Sequence, residues 1–141
     1  MDANTARTLL LGEHDAIRDR LRDCLALARR WYAKHCEQIE LEIALDQLRS
    51  AIYKHNLSES ALLRVLLVDT KTWGEQLIGA MIDEHLAEHV AMWSVLDQPV
   101  LALSSQLDDL AERLDAHMGS EERTFLAPHV LRTDIITSHR H

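Results

Sequence analysis

The 141-residue chain is poor in the residues that punctuate a fold, with only four glycines and two prolines. That is too few for a turn-rich β-sandwich, and alternating strand patterns are absent as well, so an all-helical fold is expected. Cysteine is scarce too. Cys24 and Cys36 have no partner at metal-ligand spacing, which argues against a disulfide scaffold and fits a reducing compartment. Both read as small buried or half-buried apolar residues. No basic stripe offsets the formal net charge of −8, so nucleic acid is not an expected partner. The N-terminal MDANTARTLLLGEHD has no long apolar run before its charges. Neither a secretory signal nor a membrane span is expected, and the expected location is the cytoplasm. The G-x-S-x-G, P-loop and dinucleotide glycine patterns do not occur, nor does the C-x-x-C-H that attaches haem.

What the chain does have is helical periodicity, in a length that suits one domain with a real core. One seam carries Leu10, His14, Ile17, Leu21, Leu25 and Ala28. A second carries Leu41, Leu45, Leu48, Ile52, His55, Glu59, Leu62 and Leu66. A third carries Ile78, Met81, His85, His89, Met92 and Leu96, and a fourth Leu103, Leu107, Leu110, Leu114, His117 and Glu121. Steps of three and four throughout predict an antiparallel, up-down-up-down four-helix bundle. Asn4 or Thr5 is the expected cap of the first helix. Turns are expected near 33–38, at 69–74 and at Asp97-Gln98-Pro99, with Pro99 in the first turn of the last helix and Pro128 ending it. The chain therefore reads as a single domain, 1–141, with a helical core over about 5–128 and a short tail over 129–141. Trp31, Trp73, Trp93 and the methionines are expected to pack the bundle.

Each seam is interrupted by a histidine or a carboxylate. His55 with Glu59, His85 with His89, and His117 with Glu121 stand four residues apart. A four-residue step turns only about 40° round a helix and rises about 6 Å, so both donors face the same side. In an antiparallel bundle His14, His55, His85 and His117 all fall about 13–18 Å from the same end, at 1.5 Å per residue. Burying such groups without partners costs several kcal/mol, so a core that accepts seven must satisfy them together. Five imidazoles and two carboxylates on one level point to a metal site, and imidazole with carboxylate suits iron, manganese or zinc. In the last helix Glu121 continues the seam. Glu122 lies five residues from His117, about 140° round an ideal helix, and would need a local distortion to compete. His35, His129, His139 and His141 lie off the pattern and read as surface or tail residues. His85-Leu86-Ala87-Glu88-His89 also spells H-x-x-E-H, a zinc metalloprotease signature with Glu88 as general base. That reading leaves His14, His55 and Glu59 without a role, and Glu88 is expected beyond the ligands or on the surface.

The ordered set His, His-x-x-x-Glu, His-x-x-x-His, His then Glu resembles hemerythrin and the hemerythrin-like HHE cation-binding domains. The likeness runs from GEHDAIRDRL (12–21) to HMGSEERTFLAP (117–128). It implies a non-haem di-iron centre. His85, His89 and His117 would hold one iron ion, and His14 and His55 the other. Glu59 and Glu121 or Glu122 would bridge the two, together with an oxo or hydroxo group. The iron with fewer protein ligands would keep an open position for a small diatomic or peroxide ligand. Oxygen-carrying members place the last carboxylate five residues after its histidine and use Asp; Glu122 has that offset. Many HHE domains use one histidine in the third helix, where this chain has two. The function implied is O2 binding or sensing. Redox chemistry on peroxide or NO, iron donation for iron–sulfur repair, and iron storage or sensing are the alternatives.

Overall fold

The structure, a computed structural model, describes residues 2–68, 75–124 and 126. The described residues form five helices and no strand: α1 (Ala3–Tyr32), α2 (Gln38–Val68), α3 (Glu75–Leu96), α4 (Val100–Ser105) and α5 (Leu107–Arg123). The fourth predicted helix is thus two. Gln106, at φ −106° and ψ 6°, closes α4 and opens α5. Pro99 stands just before α4 rather than inside it. The expected turn at 69–74 with Trp73, the stop at Pro128 and the tail at 129–141 lie outside the described residues.

Helix ends follow local chemistry. Asp2, not Asn4 or Thr5, caps α1, its carboxylate accepting from the Thr5 N–H at 2.7 Å. The far end of α1 closes without glycine. Lys34 takes φ 62°, its N–H donates to the Trp31 carbonyl at 2.9 Å, and the His35 N–H reaches the Arg30 carbonyl at 2.7 Å. This is the Schellman arrangement with a lysine in the left-handed position. At the start of α2, Glu40 reaches back to accept the Glu37 N–H at 3.0 Å, half of a capping box. Arg49 of α2 caps the end of α3, donating to the Leu96 carbonyl at 2.7 Å and the Gln98 carbonyl at 2.6 Å.

α1 packs most extensively on α2, α3 also packs on α2, and α5 packs on α1. Polar contacts join α1 to α4 and to Leu126, beyond α5. Arg7 Nε donates to the Leu126 carbonyl at 2.6 Å, and Tyr32 Oη lies 3.2 Å from Ser104 Oγ. Among the described residues the apolar core comes in two parts. The larger includes Ile17, Leu21, Cys24, Leu41, Leu45, Leu48, Ile52, Leu96, Leu107, Leu110 and Leu114. The smaller is Ala6, Leu10, Leu63, Leu66 and Leu126. Along α1, His14 falls between the two parts, and along α2 His55 and Glu59 do. The core is therefore split by a polar layer. Cys24 is buried, its thiol pushed up to about 12 by burial, and Cys36 is half-buried. The tryptophans divide: Trp31 is half-buried against the core, whereas Trp93 faces outward at 37% exposure and leans on Tyr53. Trp93 packs a surface aromatic pair rather than the interior. His35 is exposed.

Candidate metal centre

Helix periodicity turns His14 of α1, His55 and Glu59 of α2, His85 and His89 of α3, and His117 and Glu121 of α5 into one space. All are buried except His117, whose side chain keeps 9% of its surface. They form two overlapping groups. Glu59, His85, His89 and His117 make one, and His14, His55, Glu59 and Glu121 the other. Within each group the possible ligand atoms all lie within 4.8 Å of one another. Glu59 belongs to both, and its carboxylate touches His55 Nε2 on one side and His85 Nε2 on the other. Glu121 also spans the groups: Oε1 lies 3.1 Å from His14 Nε2 and 3.4 Å from His117 Nε2, and Oε2 lies 3.2 Å from His85 Nε2.

The two carboxylates proposed for α5 separate. Glu121 points into the layer. Glu122 lies outside it, with Oε2 2.7 Å from His14 Nδ1 and both oxygens gripped by the Arg18 guanidinium at 2.9 and 3.0 Å. No bulge after His117 is needed to bring Glu121 in, because the four-residue step already does so.

A ring of carboxylates surrounds the imidazoles. Besides Glu122 on His14, Glu13 Oε1 lies 2.8 Å from His55 Nδ1, and Ser58 Oγ donates to the other Glu13 oxygen at 2.9 Å. Glu88 Oε2 lies 2.6 Å from His117 Nδ1. Each contact joins two helices. With Nδ1–H donating outward, Nε2 keeps its lone pair for the interior, which is how carboxylates orient metal-binding histidines. Sequence reasoning found Glu88 but missed Glu13, Ser58 and Arg18. Glu88, expected beyond the ligands or on the surface, is half exposed, and its carboxylate serves His117.

Charge and burial favour a cation. Among the described residues, His55 Nε2, His89 Nε2, His117 Nε2, both Glu59 oxygens and Glu121 Oε2 are buried with no hydrogen-bond partner. Five of the candidate ligands thus present inward atoms without a hydrogen-bond partner, and a metal ion satisfies them at once. Burial lowers His14 and His85, and burial with the neighbouring His85 takes His89 down to about 4, so these imidazoles stay neutral and able to ligate. For His55 burial acts downward too, but Glu59 and Glu13 outweigh it and raise it. Burial resists ionisation of Glu59, yet His55 and the acid proton of Glu121 bring it down to about 2. Burial and the adjacent Glu59 push Glu121 up to about 12. Without a cation nearby, burial and the Glu59 charge thus favour the protonated form of Glu121.

Two cavities approach the layer. A cleft of about 590 Å³ runs between α3 and α5 and is lined at its inner end by His85, His117 and Glu121. A smaller one, about 330 Å³, lies between α1 and α2 and ends on Glu13 and His55. No described helix is long and apolar enough to cross a membrane. Comparison with protein families, curated proteins and solved structures finds no match to the chain.

Proposed function

We propose that this chain is a hemerythrin-like, non-haem di-iron protein of the cytoplasm that binds or senses O2. Its helices would form an antiparallel four-helix bundle, with α4 and α5 together as the fourth member. The observation that carries this reading is the pair of four-residue groups sharing Glu59. One ion would be held by His85, His89 and His117, the other by His14 and His55, with Glu59 and Glu121 reaching both. Iron in such a ligand set supplies reversible redox chemistry toward small oxygen species. The residues supply the rest. Glu13, Glu122 and Glu88 fix the ring orientation of His55, His14 and His117. Leu10 and Ile17, both fully buried, flank His14 along α1 and keep water from that side. Glu59 and Glu121 offset the charge of the cations they hold.

A second reading, redox turnover or iron handling at the same centre, draws on the α3–α5 cleft. Its 590 Å³ is far more room than a diatomic molecule needs. The test is anaerobic reconstitution of metal-free protein with ferrous iron, followed by metal analysis and optical spectra before and after air, peroxide and NO. Two irons per chain and a reversible spectral change with O2 are expected. Uptake of at most one ion would sink the two-iron reading. Two irons with irreversible oxidation by O2 or fast consumption of peroxide would move the function to the second reading.

A further inference from the structure

The two halves of the polar layer differ in how they are closed off. His14 is fully buried, Glu122 holds its outer nitrogen, and Arg18 holds Glu122 with two hydrogen bonds. Glu13 holds the outer nitrogen of His55, and Ser58 holds Glu13. The 330 Å³ cavity on that side is lined by this same Glu13–His55 pair and by no other candidate ligand.

The other half is closed less well. Its described anchor, Glu88, is itself half exposed, at 49% of its side chain. The 590 Å³ cleft reaches His85, His117 and Glu121 directly. Ala91 of α3 and Ala116 and Ser120 of α5 line it with short side chains. His117 Nε2 and Glu121 Oε2, buried and without hydrogen-bond partners, lie at its inner end. Glu84 and Glu88 stand on its wall as exposed carboxylates and outnumber the one exposed cation there, Arg113, which leaves the charge favourable to an entering cation.

Resting on the two-ion reading above, we propose that the α3–α5 cleft is the route by which a divalent first-row transition-metal ion reaches and leaves the Glu59–His85–His89–His117 group. That ion exchanges with solution, while the ion held by His14, His55, Glu59 and Glu121 is retained.

Zinc tests this without redox side reactions. The full chain is loaded with natural zinc, moved into excess isotopically enriched zinc, and followed by native mass spectrometry. Two ions per chain are expected, one exchanging roughly tenfold or more faster than the other. Ala116→Leu fills the cleft and should slow the fast phase by about tenfold without changing the number of ions. Ala16→Leu, which fills the smaller cavity, should leave that phase as it is. Ser120→Val repeats the test if Ala116→Leu loses helicity. Two ions exchanging together, or a fast phase indifferent to both cleft substitutions, would overturn the route and leave the two-ion site standing. A chain that takes up no more than one ion would overturn both.

Discussion

Glu121 and Glu122 are adjacent in sequence and hold opposite nitrogens of one imidazole. Glu121 Oε1 lies 3.1 Å from His14 Nε2, and Glu122 Oε2 lies 2.7 Å from His14 Nδ1. Successive residues on a helix point about 100° apart, so the His14 ring stands in the notch between them. One carboxylate faces the interior and the other, fixed by Arg18, faces the rim. The same dipeptide thereby supplies a candidate ligand and the group that aims a candidate ligand.

That division gives an order of effects. Glu121→Ala and Glu59→Ala remove atoms from the layer and should abolish binding of at least one ion. Glu122→Ala leaves the layer intact and frees the His14 ring, which should weaken metal binding by roughly 10–100-fold. Competition against a chromophoric chelator reads both. A larger loss from Glu122→Ala than from Glu121→Ala would make Glu122 the ligand.

Glu13 should behave like Glu122, on the other side. Removing its carboxylate in Glu13→Ala releases His55 Nδ1 and leaves Ser58 Oγ without its acceptor. Metal affinity should fall by roughly 10–100-fold while far-UV circular dichroism stays that of the parent. Asp19→Ala, an exposed acid on the same helix, controls for lost negative charge. Equal losses from the two would mean that field, rather than ring orientation, is what Glu13 supplies.

The contrast between these residues shows what a sequence displays. His14, His55, Glu59, His85, His89, His117 and Glu121 stood out because each breaks an apolar seam, and helical spacing alone says which face they share. Glu13 and Arg18 lie beside the seam among other charged residues, and nothing in their spacing sets them apart. Their partners sit 42 and 104 positions away, across helix pairs whose rotation the sequence does not display. The same holds for the helix ends. Asp97-Gln98-Pro99 announces its turn, but Lys34 is a lysine doing what glycine commonly does. The break at Gln106 lies inside a continuous run of seam leucines.

Lys34 makes a prediction that leaves the centre untouched. A side chain in the left-handed region costs about 1–2 kcal/mol. Glycine removes that cost but orders a freer unfolded backbone, which takes back about 0.5–1 kcal/mol. Lys34→Gly should therefore stabilise the exposed end of α1 by up to about 1 kcal/mol, seen as a higher urea midpoint with an unchanged slope. Destabilisation would mean that the lysine side chain contributes more than its backbone costs.

Metal uptake should release protons. In the metal-free chain burial and Glu59 raise Glu121 to about 12, so it keeps its proton near neutral pH, and Glu59 with Glu13 raises His55 against its burial, toward the protonated form. A cation needs the carboxylate and the neutral imidazole. A group whose pKa is raised in the free protein must give up its proton on binding, so affinity climbs with pH and falls in acid, by about tenfold per pH unit for each proton released. His89, held down to about 4, is already neutral and adds nothing until the solution is acidic. Calorimetry in buffers of different ionisation enthalpy measures the release at pH 7. A value of zero would mean that Glu121 enters the complex already ionised.

Removing the metal should loosen one end of the molecule before the other. The polar layer separates the large core, around Leu45, Leu48 and Leu110, from the small one of Ala6, Leu10, Leu63, Leu66 and Leu126. The large cluster holds its helices together by apolar burial alone, so the chelated protein should stay helical. Among the described residues the small cluster is the lesser of the two, and it borders a layer of imidazoles and carboxyls that, without a cation, gain by hydration. Bound metal favours the folded arrangement by mass action, about 2.7 kcal/mol at a hundredfold excess over the dissociation constant. Chelation should thus lower the melting temperature. It should also raise amide exchange in the first turns of α1, the last turns of α2 and the end of α5, well before exchange rises around Leu48 and Leu110. Collapse of the whole circular dichroism signal would make metal a requirement for folding and the large core weaker than its burial implies. A melting temperature indifferent to added iron or zinc would show that the seven residues satisfy one another without a cation.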